Sequence, residues 1–142
     1  MNANVEALTA HFLRDQADVA ELAGRRIATE HPRSTGRPWI KVTQIGDPEV
    51  GRDGTDHYIE THLQLDCYGG DDAAVAYDEA SALYRATRKA LKGMPDEDLE
   101  EIVVARVKFG NGGGRLPDES MGEPARQRYV LDAFIRAHDR PE

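Results

Sequence analysis

The feature that most constrains the fold is a stretch of alternating residue types at positions 57–68. Apolar or small side chains occupy every second position (Ile59, Thr61, Leu63, Leu65 and Cys67), and polar ones lie between them (Glu60, His62, Gln64 and Asp66). Because successive side chains of a β-strand point to opposite faces, this alternation predicts a strand with one buried and one wet face. Such a strand requires a sheet that other elements cover on one face.

A long amphipathic helix follows, beginning at Asp71 or Asp72 and ending at Lys92. Small and apolar residues recur in it at the spacing of one helix face: Ala76, Ala80, Leu83, Thr87 and Leu91. Small residues dominate the first half of this stripe, so we expect the helix to pack closely against the sheet. Gly93 and Pro95 terminate it.

The remaining apolar patterns predict a helical N-terminus and four more strands. Residues 4–23 form either one helix broken near Asp15 or two short helices, and the strands are expected at 25–30, 38–45, 99–109 and 126–138. Alternation in the last two strands assigns these residues to one face each: Val103, Ala105, Val107 and Phe109, then Tyr129, Leu131, Ala133 and Ile135. With 142 residues, no repeats and no second core pattern, the chain is expected to form one α+β domain, residues 1–142.

The charge balance argues against a protein that holds nucleic acid or membrane. Asp and Glu number 26 against 18 Lys and Arg, which gives a net charge of −8, whereas tight nucleic-acid binding needs clustered cations.

No apolar run approaches the roughly 20 residues of a membrane span. The single cysteine, Cys67, excludes an internal disulfide framework, and residues 1–10 do not form a secretory signal. These features predict synthesis in a cytosol.

No catalytic or metal-binding constellation emerges from the sequence. The glycine run at 110–114 lacks the Lys and Ser/Thr of a phosphate loop, so we interpret it as a flexible loop. The histidines lack metal-ligand spacing, and Cys67 continues the buried face of its strand. The acidic run at 96–101 is interpreted as a solvated turn. The chain is therefore predicted to be no enzyme and to use no cofactor or metal.

Two polar segments, residues 46–56 and 110–124, stand out by their length and glycine content. The first is expected to be a loop or hairpin tip, and the second is too polar to pack alone. Loops of this length are usually functional or disordered, and a small domain without an active site most often uses them on a partner. We therefore expect the protein to act by assembly.

Three short segments and the order of elements carry a family resemblance. The segments are LAGRRI at 22–27, PWIKV at 38–42, where a strand begins after a proline, and LQLDCY at 63–68. A helix from near Ala73 to Leu91, a strand, a variable loop and a final strand complete the layout. It resembles the tail terminator (tail completion) proteins of long-tailed bacteriophages over nearly the whole chain.

The resemblance implies a fold, a function and a set of partners. The fold would be α+β, with a mixed, mostly antiparallel sheet and helices packed on one face. The protein would form a ring of six subunits in the tail-neck region of the virion, made in the host bacterial cytoplasm. The ring would cap the major tail tube protein, stop its polymerisation and dock the head-completion (neck) protein. Phage DNA could pass through it without stable binding.

A ring needs two different contact patches on each subunit. The candidates are the region 38–56 and the segment 110–124 with its following strand, and the subunit-interface residues chosen from them are Trp39, Asp47, Glu49, Arg52, Asn111, Arg115, Leu116, Met121, Arg126 and Arg128. Trp39 falls on the face opposite Ile40 and Val42, so it is expected to be exposed for an interface; the alternative is packing under the N-terminal helix.

Three other classes of function stay open at this point. One is another head–tail joining or minor tail protein, which differs from a terminator in its partners. A second is a small-molecule-binding regulatory domain, which would need a pocket with convergent polar groups. The third is a small hydrolase or nuclease, for which Glu60, His62 and Asp66 would be the residues to test.

Overall fold

The computed structural model describes residues 4–30, 36–54, 56–111, 113–121 and 125–139, and all structural statements refer to them. The helices are α1 (Val5–Arg14), α2 (Ala17–Ala23) and α3 (Ala76–Lys92), with a short 3-10 helix at Glu119–Met121. The strands are β1 (Ile27–Ala28), β2 (Trp39–Gln44), β3 (Glu49–Asp53), β4 (Asp56–Tyr68), β5 (Asp98–Leu99), β6 (Ile102–Phe109), β7 (Gly114–Arg115) and β8 (Arg128–Asp139).

The strands form one sheet in the order β1-β2-β4-β8-β6-β5, with β3 paired to β4 and β7 paired to β8. Only the β1–β2 pair is parallel among the described ladders. Residues of all three helices share one hydrophobic cluster with one face of the sheet. We call this the inner face and the opposite one the outer face. The expected α+β class with a mixed, mostly antiparallel sheet is confirmed.

The two most strongly patterned elements pack against each other as their sequences predict. On β4, Leu63, Leu65 and Cys67 are fully buried on the inner face, where they belong to the same cluster as Leu83 and Leu91 of α3. The alternating stretch therefore forms the centre of the sheet, between β2 and β8. At roughly 25 cal/mol per Å² of apolar surface, this layer supplies the main driving force for folding.

The N-terminal segment forms two helices joined at Asp15. Asn4 caps α1 by accepting a hydrogen bond from the amide of Ala7 (3.0 Å). Arg14 then donates to the carbonyl oxygen of Ile27 (2.9 Å from Nε), and Glu6 accepts from the amide of Gln44 (2.6 Å). These contacts tie α1 to the β1–β2 side of the sheet.

Helix α3 begins at Ala76, later than the expected start at Asp71 or Asp72. Asp72 forms a preceding turn, because its carboxylate accepts from the amide of Ala74 (3.1 Å) and its carbonyl accepts from Val75 and Ala76. Gly69 permits the turn to close on the helix, since a Cβ there would lie 2.0 Å from the carbonyl oxygen of Ala76.

Residues 46–56 contain a strand that the sequence did not predict. Glu49–Asp53 (β3) pairs antiparallel with the start of β4, and Gly54 turns the chain with a φ of 65°. Of the two expected forms, a loop or a hairpin tip, the segment has the hairpin, with a paired strand leading into its turn. Its strand lacks the alternation that reveals β4, because Val50 is its only apolar residue.

The predicted face of β6 is only half right. Ile102 and Val104 are buried, whereas the predicted Ala105 is exposed. A β-bulge lies at Ala105, between Val104 and Arg106 in the register with β8. It shifts the phase by one residue, so that Val107 and Phe109 reach the inner face as predicted.

The glycine run at 110–114, interpreted above as a flexible loop, leads into β7 against β8. A Cβ on Gly113 would lie 2.4 Å from the carbonyl oxygen of Val130, and Gly114 has a φ of 128°. Gly112 lies outside the described residues. Close approach to β8, which only glycine allows, explains Gly113.

Candidate assembly surface

The outer face of the sheet carries most of the polar side chains of the central strands. Since inner-face residues of β4 are the odd-numbered ones, its outer face presents Tyr58, Glu60, His62, Gln64, Asp66 and Tyr68. Their register partners on β8 run from Arg136 opposite Glu60 to Arg128 opposite Tyr68. The helices α1, α2 and α3 pack on the opposite side.

At one end of the outer face, one carboxylate serves two arginines. Glu60 lies 3.1 Å from Arg106 and 3.5 Å from Arg136. The two arginines are direct register partners across β6 and β8, so without Glu60 they would be adjacent like charges. The Arg136 guanidinium also lies 3.9 Å from the centre of the Tyr58 ring.

In the middle, His62 is held from two sides. Its Nε2 lies 2.8 Å from Oδ1 of Asp132, and its ring stacks on Phe134 with centroids 4.4 Å apart. A His–Asp pair can serve in catalysis when a nucleophile or a substrate site adjoins it. Here both groups lie between aromatic and charged neighbours on an open sheet, which suits a structural pair.

At the opposite end, Trp39 stacks on Tyr68 with ring centroids 4.2 Å apart and planes 4° apart. Trp39 is 2% exposed, so its expected exposure is wrong. Packing under the N-terminal helix is wrong as well, because Trp39 points away from the helix side that its neighbour Ile40 occupies. Trp39 is a buried residue of the outer face.

A second acidic group fixes the chain over this end. Asp118 accepts a hydrogen bond from the Tyr68 hydroxyl (2.7 Å) and lies 3.5 Å from Arg128. Burial alone would raise the pKa of Asp118, but hydrogen bonds from Ser120 and Tyr68 outweigh it and lower that pKa below its ordinary value. Burial raises the pKa of Tyr68, and so does the hydrogen bond with Asp118.

Asp66 is the buried acid of the outer face, 4% exposed. Gln64 donates to it at 3.0 Å, but no cation pairs with it directly in the described chain. Burial raises the pKa of Asp66, and the hydrogen bond from Gln64 together with the nearby charges of Arg128 and Lys41 offsets that only in part. The hydrolase alternative has no support from Glu60, His62 and Asp66 as a group, because each has a different partner.

A cavity of about 570 Å³ opens on the outer face between the β2–β3 connection and the end of β6. It is lined by Ile45, Asp47, Glu49, Glu60, His62, Arg106, Lys108, Phe109, Gly110, Asn111 and Phe134. Three predicted interface residues, Asp47, Glu49 and Asn111, therefore lie around one depression. The two regions predicted to form contact patches, 38–56 and 110–124, therefore both contribute residues to this depression within one subunit.

The other predicted interface residues lie elsewhere. Arg52 is exposed on β3, and Arg115 and Leu116 are exposed at and after β7. Arg126 donates to the carbonyl of Gly69 (2.9 Å), and Arg128 donates to that of Leu116 (2.8 Å). Met121 ends the 3-10 helix. Sequence reasoning missed Tyr68 and Asp118, whose contact joins positions 50 residues apart without a local pattern.

The described residues contain no cluster of three or more His, Cys, Asp or Glu side chains that could hold a metal ion. Among them, too, no helix has the length and apolar character to cross a membrane. Cys67 is buried, and burial raises the pKa of its thiol to about 12. The thiolate, which is the reactive form, is thus scarce at neutral pH.

Comparisons with known proteins found a similar fold and a matching family. A chain in the solved structure "Virion of native gene transfer agent (GTA) particle" has the same fold, with a TM-score of 0.68, 21% identity and 94% of each chain covered. No protein of curated function matches the sequence significantly. The family model "Tail completion protein gp17" matches residues 6–120.

The family match makes the chain a structural protein of a phage tail, and hence of a virion. In particular, the chain belongs to the family of tail completion protein gp17, which confirms the resemblance drawn from the sequence.

Proposed function

We propose that the chain is a tail terminator. Copies of it form a ring of six subunits that caps the major tail tube protein and stops its polymerisation. The ring then offers a docking surface to the head-completion (neck) protein. In this proposal the protein acts by assembly and not by catalysis, in the tail-neck region of the virion, after synthesis in the host cytoplasm.

The observation that carries the proposal is the family match over residues 6–120, which reaches from α1 to the 3-10 helix. A protein that completes a tail must bind the tube end on one side. The structure offers polar surface for assembly, because one face of its sheet carries exposed charged groups, among them Glu49 and Lys108. The likeness to a chain from a gene transfer agent virion supports a role within a particle.

The test is the length and attachment of tails in a phage that lacks the protein. We expect overlong tubes in electron micrographs, and restoration of the normal length by the wild-type gene supplied in trans. Tails of normal length that are properly attached to heads would refute the proposal. Tails of normal length without heads would favour the alternative of a head–tail joining protein.

The cavity gives the regulatory-domain alternative a specific observation, because its volume of about 570 Å³ lies in the range of ligand sites. Several of its polar groups are already paired with each other, notably Glu60 with Arg106. A ligand would have to compete with these pairs. A rise in melting temperature with a small metabolite, in the isolated protein, would support that alternative over the tail role.

A further inference from the structure

Several strand edges lack a partner within the described chain, and those of β3 and β6 are the longer ones, because β1, β5 and β7 have only two residues each. The edge of β3 faces away from β4, and the edge of β6 beyond the bulge faces away from β8. Unpaired edges are templates for adding another strand, and proteins normally block them unless they are used. Here Val50, in the middle of β3, is 78% exposed.

The hydrogen-bond alternation shows which backbone groups are available. The amide of Ile45 donates to the carbonyl oxygen of His62 (2.8 Å), so the backbone groups of the even-numbered β4 residues point toward β3. The β3 residues opposite them point toward β4. Val50 and Arg52 lie between those residues, so their backbone N–H and C=O groups point away from β4. The amide of Gly110 donates to Asp132 (3.0 Å), which leaves the backbone groups of Val107 and Phe109 on the far side of β6.

The two edges have the right relative direction for head-to-tail pairing. Each step from β3 through β4 and β8 to β6 is antiparallel, so β3 and β6 run in opposite directions. A rotation about an axis along the strands preserves these directions. The β3 edge of one copy therefore meets the β6 edge of the next as an antiparallel pair, which is a heterologous contact able to close a ring.

The side chains at these edges are complementary. At the β3 edge, Glu49 lies opposite Glu60 of its own subunit, which is an unfavourable pairing of like charges. At the β6 edge, Lys108 carries the opposite charge and is exposed. Neither Glu49 nor Lys108 forms an ion pair within the described chain. Val50 and Val107 both belong to the inner-face side of their strands.

We propose that β3 of one subunit pairs with β6 of the next, with Val50 opposite Val107 and Glu49 opposite Lys108. This inference rests on the proposed ring and names its subunit contact. It joins the region 38–56 to the strand that directly precedes the segment 110–124.

Disulfide trapping tests the contact directly. Within one subunit β3 and β6 are separated by β4 and β8, or about 14 Å, which a disulfide cannot span. The double variant Val50→Cys/Val107→Cys should therefore form only intermolecular links and give a ladder ending at a closed ring. The native Cys67 is buried and unreactive, so it can remain.

Two matched variants serve as controls. Val50→Cys/Leu116→Cys places the second thiol at an exposed position away from the β6 edge and should give no ladder. Val50→Cys alone should remain uncross-linked. Cross-linked dimers of this single variant would show that β3 pairs with itself about a two-fold axis, and would overturn the proposed contact.

A charge exchange gives an independent readout. We expect Glu49→Lys and Lys108→Glu each to raise the concentration for ring formation at least about fivefold, and the double exchange to restore it. Rings on tube ends without a Val50→Cys/Val107→Cys ladder would refute this contact and leave the terminator proposal standing. If the double-cysteine variant gives a ladder but loss of the protein leaves tail length unchanged, the subunit contact stands and the terminator proposal is refuted. If neither a ladder nor a ring forms, the contact and the terminator proposal are both refuted.

Discussion

At the scale of single residues, the outer face depends on a few acids that differ in what they do. Glu60 neutralises two arginines, Asp118 anchors the chain above Tyr68, and Asp66 is buried without a direct cation. Neutralising one of these carboxylates is therefore expected to lower the stability of the protein at some positions and to raise it at others. These differences lead to two predictions.

Glu60→Gln is expected to lower the free energy of unfolding by about 1–2 kcal/mol, because Arg106 and Arg136 are left facing each other. Urea denaturation of the dilute protein measures this. Glu49→Gln is the matched control on the neighbouring strand, and it should be neutral or slightly stabilising since it removes a repulsion with Glu60. Equal losses in both variants would contradict the role of Glu60.

Asp66→Asn and Asp118→Asn should respond to pH with opposite signs. The raised pKa of Asp66 means that the wild-type protein loses stability as the pH rises through that folded-state pKa, so the Asn variant should be the more stable at pH 7. The lowered pKa of Asp118 stabilises the wild type above the ordinary carboxyl pKa of about 4, so Asp118→Asn should be about 1 kcal/mol less stable at pH 7. Both differences should vanish in acid. Melting temperatures from pH 3 to 8 decide the matter.

At the scale of elements, the sequence predicted those whose burial is periodic. β4, α3 and β8 each carry enough apolar residues on one face to reveal their type and orientation. β3 and β7 were missed because their main contribution is backbone pairing, which leaves little trace in composition. On the candidate surface, Asp47 and Glu49 line the cavity, and their place in a subunit interface stays a prediction. The burial of Trp39 could not be predicted, because it depends on Tyr68, which is distant in sequence.

Gly113→Ala tests whether the glycine run serves close packing. The added Cβ meets the Val130 carbonyl, so we expect a loss of about 1–3 kcal/mol in the free energy of unfolding. Gly93→Ala is the control, because a Cβ there has its nearest neighbour at 3.5 Å and the backbone φ of −88° suits alanine. An unchanged stability in Gly113→Ala would mean that the run is a free loop after all.

At the scale of the whole molecule, the net charge of −8 governs the relation to DNA. Basic side chains of the outer face such as Arg106, Arg128 and Arg136 are paired with acids, so few are available to displace phosphate counterions. We expect no duplex binding at physiological salt by fluorescence anisotropy. Submicromolar binding would contradict a ring through which the genome passes freely.

The bulge at Ala105 also determines which changes of length β6 can survive. Ala105 is the extra residue between Val104 and Arg106, and the strand before and after it is out of phase by one. Deleting Ala105 restores plain alternation and leaves Ile102, Val104, Val107 and Phe109 facing the helices. Loss of any other single residue nearby would reverse one half of the strand. During evolution, β6 can therefore lose one residue, at the bulge, and keep the same side chains on its inner face.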